Sequence, residues 1–339
     1  MSAAPASAPV LVTGAAGFVG SHLVDALLAR GVPVRALVRP TTDRRYLDPA
    51  RVTFAPGDVC DGSPQGLEAL ARAAAGCGAV YHAAGITQAP NPSQFERVNA
   101  EGAARVARAA AQAGVPRLVL VSSQAAGGAT RGGRPRTEED SDTPAGAYGR
   151  SKLEGERRAA AALAEAGGVT SLVTVRPPAV YGPRDRAFAL LFKLANRGVV
   201  PLPGGSRQLL SLVHARDLAE GIVLAAERGR GGRLYYVSGG PPVTTGQMVD
   251  SVSRALGKKP LRLDVPSVML VAAVAVAETV ARVTGRPARI TRDRLSDLVE
   301  RDWTLDDARA RGELGYAPRI PLEAGIEETA QWYRNAGWI

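Results

Sequence analysis

Two residues near the middle of the chain have the types and the spacing of an acid–base pair. Tyr148 and Lys152 are four positions apart, so on a helix they share one face. An ammonium beside a phenol makes the phenol easier to ionise, and free tyrosine, with a pKa of about 10, needs such help near neutral pH. Only four of the 42 basic residues are lysines, so a lysine here indicates a chemical requirement. This spacing alone is weak evidence for a catalytic site, because it can occur by chance. Its significance depends on the sequence that precedes it.

A glycine-rich turn near the N-terminus supplies that context. Residues 10–13 form an apolar run typical of a buried strand, and helical periodicity follows over 21–30. Between them, Gly14 permits a tight turn, Gly17 lets backbone approach a pyrophosphate, and Gly20 allows close helix–strand packing. The helix N-terminus then offers free N–H groups to an anion. The strand and helix on either side favour a dinucleotide site over a glycine turn without a ligand.

The composition argues against several other functions. A net charge of +10 raises nucleic-acid binding as a possibility, but aromatic residues make up only 5% and the arginines are spread along the chain. The densest basic cluster, within 131–136, is followed at once by acidic residues 138–140. We therefore predict a solvated basic surface and no nucleic-acid partner. Two cysteines and three scattered histidines predict neither a disulfide framework nor a metal site.

No targeting segment is visible, and we expect a cytoplasmic protein. The first apolar run leads directly into the glycine turn without a basic region before it. The longest apolar stretch, 268–283, reaches Glu278 after about eleven residues, short of the roughly 20 that span a bilayer. Residues 266–283 fit core packing best, while a cap over an apolar pocket and peripheral contact with a membrane surface stay open.

Strand and helix patterns alternate through the first half of the chain. Candidate strands are 34–38, 52–55, 79–82, 117–122 and 171–176, and candidate helices are 67–75, 95–113 and 148–166. This alternation predicts an α/β fold with a Rossmann-type, doubly wound parallel sheet. Ligands of such sheets bind beyond the carboxyl ends of the strands.

The second half is more irregular and richer in proline and glycine, which predicts a smaller, interleaved C-terminal α/β lid over the substrate. The runs 209–226 and 234–237 are expected to return to the sheet. We predict an NAD(P)-binding Rossmann domain of 1–183 and 207–239, and a substrate-binding domain of 184–206 and 240–339.

Nine segments, in this order and spacing, resemble the extended short-chain dehydrogenase/reductase family, the NAD(P)-dependent epimerase/dehydratase group. They are 13–20, 57–59, 81–85, 98–99, 121–123, 148–152, 176–183, 213–219 and 314–316. Each segment alone is weak evidence for the family, but the combination is strong and covers essentially the full chain. The resemblance implies an NAD(P)-dependent oxidoreductase that often forms a homodimer.

The resemblance also implies catalytic roles that the chemistry supports. Tyr148 would be the general acid/base toward a carbonyl oxygen, and Lys152 would lower its pKa and hold the nicotinamide ribose. Ser123 would hydrogen-bond the reacting oxygen, with Ser122 as the competing candidate at the same strand end. Asn99 would orient active-site backbone, and a helix-surface amide is its alternative interpretation.

The implied cofactor-binding residues are Gly14, Gly17, Phe18, Val19, Gly20, Arg39, Asp58, Val59, Ala83, Ala84, Tyr148, Lys152, Pro177 and Val180. Arg39 closes the second strand, where NAD-specific proteins carry an acid that binds the adenosine ribose. A guanidinium there can pair with a 2′-phosphate, so the sequence predicts NADP(H), with NAD as the alternative cofactor. A solvent-facing arginine without a ligand is the competing interpretation.

The absence of an arginine at one position narrows the class of substrate. Members that act on nucleotide sugars place an arginine four residues before the histidine of the Val-His-x-x-Asp motif, where this chain has Leu210. Their second arginine, in an Arg-x-Gly-Asp stretch, has no counterpart within 297–303. The chain looks closer to the branch of 3β-hydroxysteroid dehydrogenases and dihydroflavonol reductases, which implies a ketone or aldehyde interconverted with an alcohol on a hydrophobic small molecule.

Two other functions stay open. A nucleotide-sugar epimerase or dehydratase with tightly bound NAD would need its charge from Arg207, Arg216 or Arg292. A non-catalytic dinucleotide-binding protein is disfavoured because it has no need of Ser123, Tyr148 and Lys152.

Overall fold

A computed structural model describes residues 8–130, 133–144, 146–203, 205–265, 269 and 302–339. The apolar stretch 266–283 falls outside these residues apart from Met269, as do Arg292 and the segment 297–301. Within the described part, no helix is both long and apolar enough to cross a membrane.

Six strands from residues 10–176, together with one strand from later in the chain, form the predicted parallel sheet. Its seven strands lie in the order β11-β6-β5-β4-β1-β2-β3, and every neighbouring pair is parallel. They are β1 (Val10–Thr13), β2 (Val34–Val38), β3 (Val52–Pro56), β4 (Ala79–His82), β5 (Arg117–Val121), β6 (Ser171–Arg176) and β11 (Leu234–Tyr236). All carboxyl ends therefore lie at one edge, so the loops singled out by the sequence meet there.

Helices cover both faces of the sheet. They are α1 (Phe18–Ala29), α2 (Pro64–Ala74), α3 (Pro92–Phe95), α4 (Gly102–Gln112), α5 (Gln124–Gly127), α6 (Gly146–Glu165) and α8 (Ala215–Arg228). One core contains Leu23 of α1 and Leu218 of α8, and the other contains Leu70 of α2 and Val106 of α4. Helices on both faces explain why the strands read as continuous apolar runs.

The predicted helix 95–113 is interrupted. A π-helical turn, Glu96–Glu101, separates α3 from α4 and widens the backbone around Asn99. Such turns are frequent at functional sites.

A second π-helical turn, Ala310–Leu314, packs in the same core as α1 and α8. The other remaining elements form the smaller part of the molecule. They are α7 (Ala189–Asn196), α9 (Thr245–Leu256), α10 (Leu322–Asn335), β7 (Ala179–Tyr181), β8 (Val199–Pro203), β9 (Leu209–Leu210), β10 (Leu212–His214), β12 (Val243–Thr244) and β13 (Leu261–Val265). Their strands pair as β7 with β10, β9 with β12 and β8 with β13. Phe192, Val249, Ile326 and Tyr333 are central to a third core.

The chain does return to the main sheet, as expected, through β11 beside β6. The run 209–226 behaves differently from a strand of that sheet. Its strand β10 pairs with β7, and only its helix α8 packs on the sheet, against α1. The domain boundaries drawn from the sequence stay a prediction.

Candidate functional site

The glycine turn after β1 can only be built from glycine at two of its positions. Gly14 has φ +70°, and a Cβ there would lie 2.6 Å from the backbone nitrogen of Ala84. A Cβ on Gly20 would lie 2.0 Å from the carbonyl oxygen of Gly14. Gly17 is less constrained, since its Cβ would lie 3.1 Å from that same oxygen. The turn therefore brings the backbones of β1, α1 and the loop after β4 into close contact.

The first turn of α1 is suited to an anion. Gly17 is its N-cap, with no side chain to occupy the first N–H groups, and the first turn carries no acidic residue. The backbone N–H groups of Phe18, Val19 and Gly20 precede the first intrahelical bond, which Ser21 donates to the carbonyl of Gly17 at 2.9 Å. Free N–H groups and the positive end of the helix dipole fit a dinucleotide pyrophosphate.

The ends of β2 and β3 lie beside this turn in the sheet order. Arg39 is exposed directly after β2, and within the described residues its guanidinium has no ion-pair partner. Arg45, by contrast, pairs with Asp43 at 2.6 Å. Asp58 is half-buried, and its carboxylate accepts the N–H of Cys60 at 2.9 Å, which fixes the turn after β3.

The loop after β4 is fastened to β1. Ala83 donates its N–H to the carbonyl of Thr13 at 3.1 Å, and the hydroxyl of Thr13 lies 2.7 Å from Nδ1 of His82. Burial, with a contribution from the charge of Lys152, lowers the pKa of His82 to about 3. His82 is thus neutral near pH 7 and serves the structure, while Ala83 and Ala84 line the edge beside Gly14.

Asn99 is buried, which rules out the helix-surface interpretation. Its side chain is 3% exposed. Its amide oxygen accepts the N–H of Ile86 at 2.9 Å, and its amide nitrogen donates to the carbonyl of Ile86 and the hydroxyl of Ser151, both at 3.0 Å. Asn99 therefore ties the loop after β4 to α6.

The helix α6 brings Tyr148 and Lys152 to the carboxyl edge. Tyr148 is half-buried, with its ring 6.0 Å from that of Phe95. Lys152 is 8% exposed, and its ammonium donates to the carbonyl of Val121, at the end of β5, over 2.7 Å. Burial lowers the pKa of Lys152 to about 8, although the carboxylate of Glu156 acts in the opposite direction. Lys152 is mostly charged at pH 7, as its expected role requires.

The two adjacent serines have different surroundings. Ser122 is buried, and its hydroxyl hydrogen-bonds the carboxylate of Glu156. Ser123 is half-buried and is the N-cap of α5, with its hydroxyl accepting the N–H of Ala125 at 3.2 Å. Ser123 can still donate its proton to a substrate oxygen, whereas the hydroxyl proton of Ser122 is engaged.

The turn after β6 lies at the same carboxyl edge of the main sheet. Pro177 is buried, and its carbonyl accepts the N–H of Gln124 at 2.8 Å, which joins the turn to α5. Val180 is half-buried in β7.

A charged cluster around buried Arg176 lies next to Ser122, and the sequence alone did not predict it. Arg176, at the end of β6, is 2% exposed and contacts the carboxylates of Glu156 and Asp142, each at 2.6 Å. Burial alone would lower the pKa of Arg176, but the hydrogen bonds that its guanidinium donates to both carboxylates outweigh burial and raise the pKa. The cluster links β5, β6 and α6. One signal was available, because Glu156 follows Lys152 by four residues on the same helix face.

Comparisons with known proteins identify this arrangement. The NAD dependent epimerase/dehydratase family matches residues 10–238. The chain belongs to that family. It is an NAD(P)-dependent enzyme of the extended short-chain dehydrogenase/reductase type, as the sequence predicted.

Proteins similar to this chain have names that denote different reactions. It is 33% identical to 4-hydroxy-2-methyl-3-oxo-4-farnesyl-3,4-dihydroquinoline-1-oxide ketoreductase of Stigmatella aurantiaca, over 94% of this chain and 95% of that protein. It is 30% identical to ceramide reductase of Caulobacter vibrioides, over 97% and 96%. The crystal structure of DesIV, a dTDP-glucose 4,6-dehydratase from Streptomyces venezuelae with NAD bound, matches with TM-score 0.78 and 27% identity, over 97% of this chain and 98% of that one. Family membership thus leaves the substrate open.

Proposed function

We propose that this family member is an NADP(H)-dependent oxidoreductase that interconverts a ketone or aldehyde with an alcohol on a hydrophobic small molecule. Leu210 carries the proposal on the substrate. Its side chain is half-buried against the third core. Nucleotide-sugar enzymes of the family would place an arginine at this sequence position. An apolar side chain at this point cannot neutralise a diphosphate, and it favours an apolar ligand.

The nearby arginines do not replace the missing charge. Arg216 is ion-paired with Glu328, and Arg207 is exposed before β9. The names of two relatives fit the proposal, since farnesyl and ceramide groups are hydrophobic. The dTDP-glucose dehydratase supports the alternative, a nucleotide-sugar enzyme.

The residues at the carboxyl edge suit the proposed chemistry. A nicotinamide cofactor held at the glycine turn would provide the hydride chemistry. Tyr148 gives its phenolic proton to the carbonyl oxygen, or takes it back in the reverse direction. The charged Lys152 makes that phenol more acidic, and Ser123 donates a hydrogen bond to the reacting oxygen. Asn99 acts indirectly, by holding the backbone of Ile86 and the α6 residue Ser151.

Arg39 supports NADP(H) as the preferred cofactor, because it is exposed at the end of β2 and is not ion-paired within the described residues. Losing a charged hydrogen-bond partner costs about 1.5–3 kcal/mol, so Arg39→Ser should lower kcat/KM for NADPH about tenfold or more and leave that for NADH unchanged. Arg45→Ser is the matched control. A parent enzyme that prefers NADH would refute this assignment.

A substrate screen tests the proposed reaction. Nicotinamide absorbance would be followed with hydrophobic ketones, aldehydes and alcohols, alongside UDP- and dTDP-sugars. We expect turnover of a hydrophobic carbonyl compound and its loss in Tyr148→Phe with cofactor binding retained. Turnover of a nucleotide sugar without net change in the cofactor would overturn the proposal. A biological effect that survives in Tyr148→Phe would instead indicate a cofactor-binding protein without catalysis.

A further inference from the structure

An exposed apolar face lies on the ribbon formed by β8 and β13. Of the seven exposed large hydrophobic residues in the described part of the chain, three belong to this ribbon: Val199 (40% exposed), Leu261 (60%) and Leu263 (45%). This concentration separates the region from the singly scattered apolar residues of an ordinary surface.

The strand register places these side chains together. Val199 pairs with Leu261, and Pro201 pairs with Leu263, in a parallel ladder. Directly paired residues point to the same side of a ribbon. Val200 and Leu202, on the other side of β8, are buried in the third core. The side carrying Val199, Pro201, Leu261 and Leu263 is therefore the outward one, and we call it the ribbon face.

Three of the four lysines of the chain lie near one end of the ribbon face. Lys193 is in the last turn of α7 and Arg197 is its C-cap, just before β8. Lys258 and Lys259 follow α9, just before β13. The N–H of Leu261 donates to the carbonyl of Gly198 at 2.8 Å, which holds the two strand starts together. Within the described residues, none of these four cations forms an ion pair.

Lys258 and Lys259 border a cavity of about 790 Å³ beside β13. It is lined by Asp250, Arg254, Lys258, Lys259 and Arg262, among others. Arg262 is neutralised by Asp250, and Arg254 lies 3.5 Å from Glu323. The positive charge left over is that of Lys258 and Lys259.

Cations at helix C-termini also have a structural explanation, because they complement the helix dipole. That explanation covers Lys193 and Lys258 but does not account for the outward apolar side chains beside them. Lysines that lie next to an apolar face fit a lipid interface, where the apolar side chains enter the acyl boundary and the lysines meet phosphates.

We propose that the ribbon face and its lysines form a docking surface for an anionic phospholipid bilayer. The leucines and Val199 would insert between headgroups, while Lys258 and Lys259 would bind lipid phosphates. The proposal does not depend on the substrate or cofactor assigned above.

Vesicle sedimentation tests the charge. The full-length protein should sediment with vesicles that contain phosphatidylglycerol and should stay in solution with pure phosphatidylcholine. A basic residue near an anionic surface contributes about a fivefold gain in binding, so Lys258→Gln with Lys259→Gln should weaken it about 25-fold. Arg51→Gln with Arg108→Gln makes the same change of charge at exposed sites elsewhere and should have little effect. No sedimentation of the parent, or equal losses in both double variants, would overturn the proposal.

A fluorescent label tests the apolar face separately. A polarity-sensitive dye on Leu261→Cys, in a chain with Cys60→Ser and Cys77→Ala, should shift to the blue when anionic vesicles are added. The same dye on Val169→Cys, at a site 76% exposed, should not respond. A dye that is already blue-shifted without lipid would mean that protein covers the face. A shift that grows with protein concentration alone would identify an interface between copies, and either result refutes membrane docking.

Discussion

Ser122 and Ser123 are neighbours in the sequence but differ in what their hydroxyls can do. The hydroxyl of Ser122 is bonded to Glu156, whereas that of Ser123 caps α5 as an acceptor and keeps its proton available. Removing a hydrogen-bond donor to a reacting oxygen typically costs about 100-fold in kcat. We expect that loss in Ser123→Ala, measured by steady-state kinetics.

Ser122→Ala is the matched control for this prediction. It should keep kcat within a few-fold and lower the free energy of unfolding by about 1–2 kcal/mol, because it leaves half-buried Glu156 with one fewer donor. If kcat falls about 100-fold in Ser122→Ala and not in Ser123→Ala, the assignment of the two serines is reversed.

Glu156 is expected to set the charge state of Lys152. Burial lowers the pKa of Lys152 to about 8, and the nearby carboxylate keeps it from falling further. Glu156→Gln should therefore lower the pKa of Lys152 below its parent value. Competitive acetylation over a pH series, with mass spectrometry at Lys152 and exposed Lys193 as the reference, measures this shift directly.

Asp142→Asn provides the comparison, since Asp142 contacts the same Arg176 from the other side. It should leave the titration of Lys152 unchanged. An unaltered Lys152 titration in Glu156→Gln would show that the carboxylate has no influence on it.

At the scale of elements, the strand–turn–helix unit of β1 and α1 depends on close approach as well as on backbone freedom. Gly14 and Gly31 both have positive φ, near +70°, but only Gly14 is in contact with another segment. The left-handed conformation costs a non-glycine residue about 1–2 kcal/mol, which is the whole cost expected for Gly31→Ala. Gly14→Ala should cost more and should abolish dinucleotide binding.

Chemical denaturation and cofactor titration by fluorescence quenching measure the two parts of this prediction. Equal stability and equal cofactor affinity in the two variants would mean that the contact between Gly14 and the loop at Ala84 is unimportant.

At the scale of the whole molecule, three buried histidines make the fold sensitive to acid. Burial lowers the pKa of His22 to about 4 and those of His82 and His214 to about 3. Between these values and about 6.5 the unfolded chain binds more protons than the folded one, so stability falls as the pH falls. Burial raises the pKa of Asp185 to about 6, which acts in the opposite sense.

From pH 7.5 to 5.5, each of the three histidines lowers the free energy of unfolding by about 1.4 kcal/mol, and Asp185 raises it by about 1 kcal/mol. The net loss of stability is about 3 kcal/mol. Urea denaturation at the two pH values measures it. In His22→Gln, whose amide can still donate to the carbonyl of Pro183, the loss should shrink by about 1.4 kcal/mol. A stability independent of pH over this range would contradict the prediction.

The sequence by itself determined the Rossmann-type sheet, the glycine turn and the placement of Tyr148 on a helix with Lys152. These features depend on local periodicity and on glycines, and both can be read along a few consecutive residues. Five predicted strands have counterparts within one residue at either end, and Val34–Val38, Ala79–His82 and Ser171–Arg176 match fully.

Tertiary structure decided the features that depend on distant partners. Asn99 is buried because a π-helical turn carries it toward Ile86 and Ser151, which a helical pattern over 95–113 could not reveal. Arg176 is buried because two carboxylates, 20 and 34 residues away in sequence, converge on it. Its charge would otherwise be prohibitively costly to remove from water, and only the folded chain supplies its partners. The ribbon face likewise required the pairing of β8 with β13 across about 60 residues, because neither strand alone shows which of its sides is left outside.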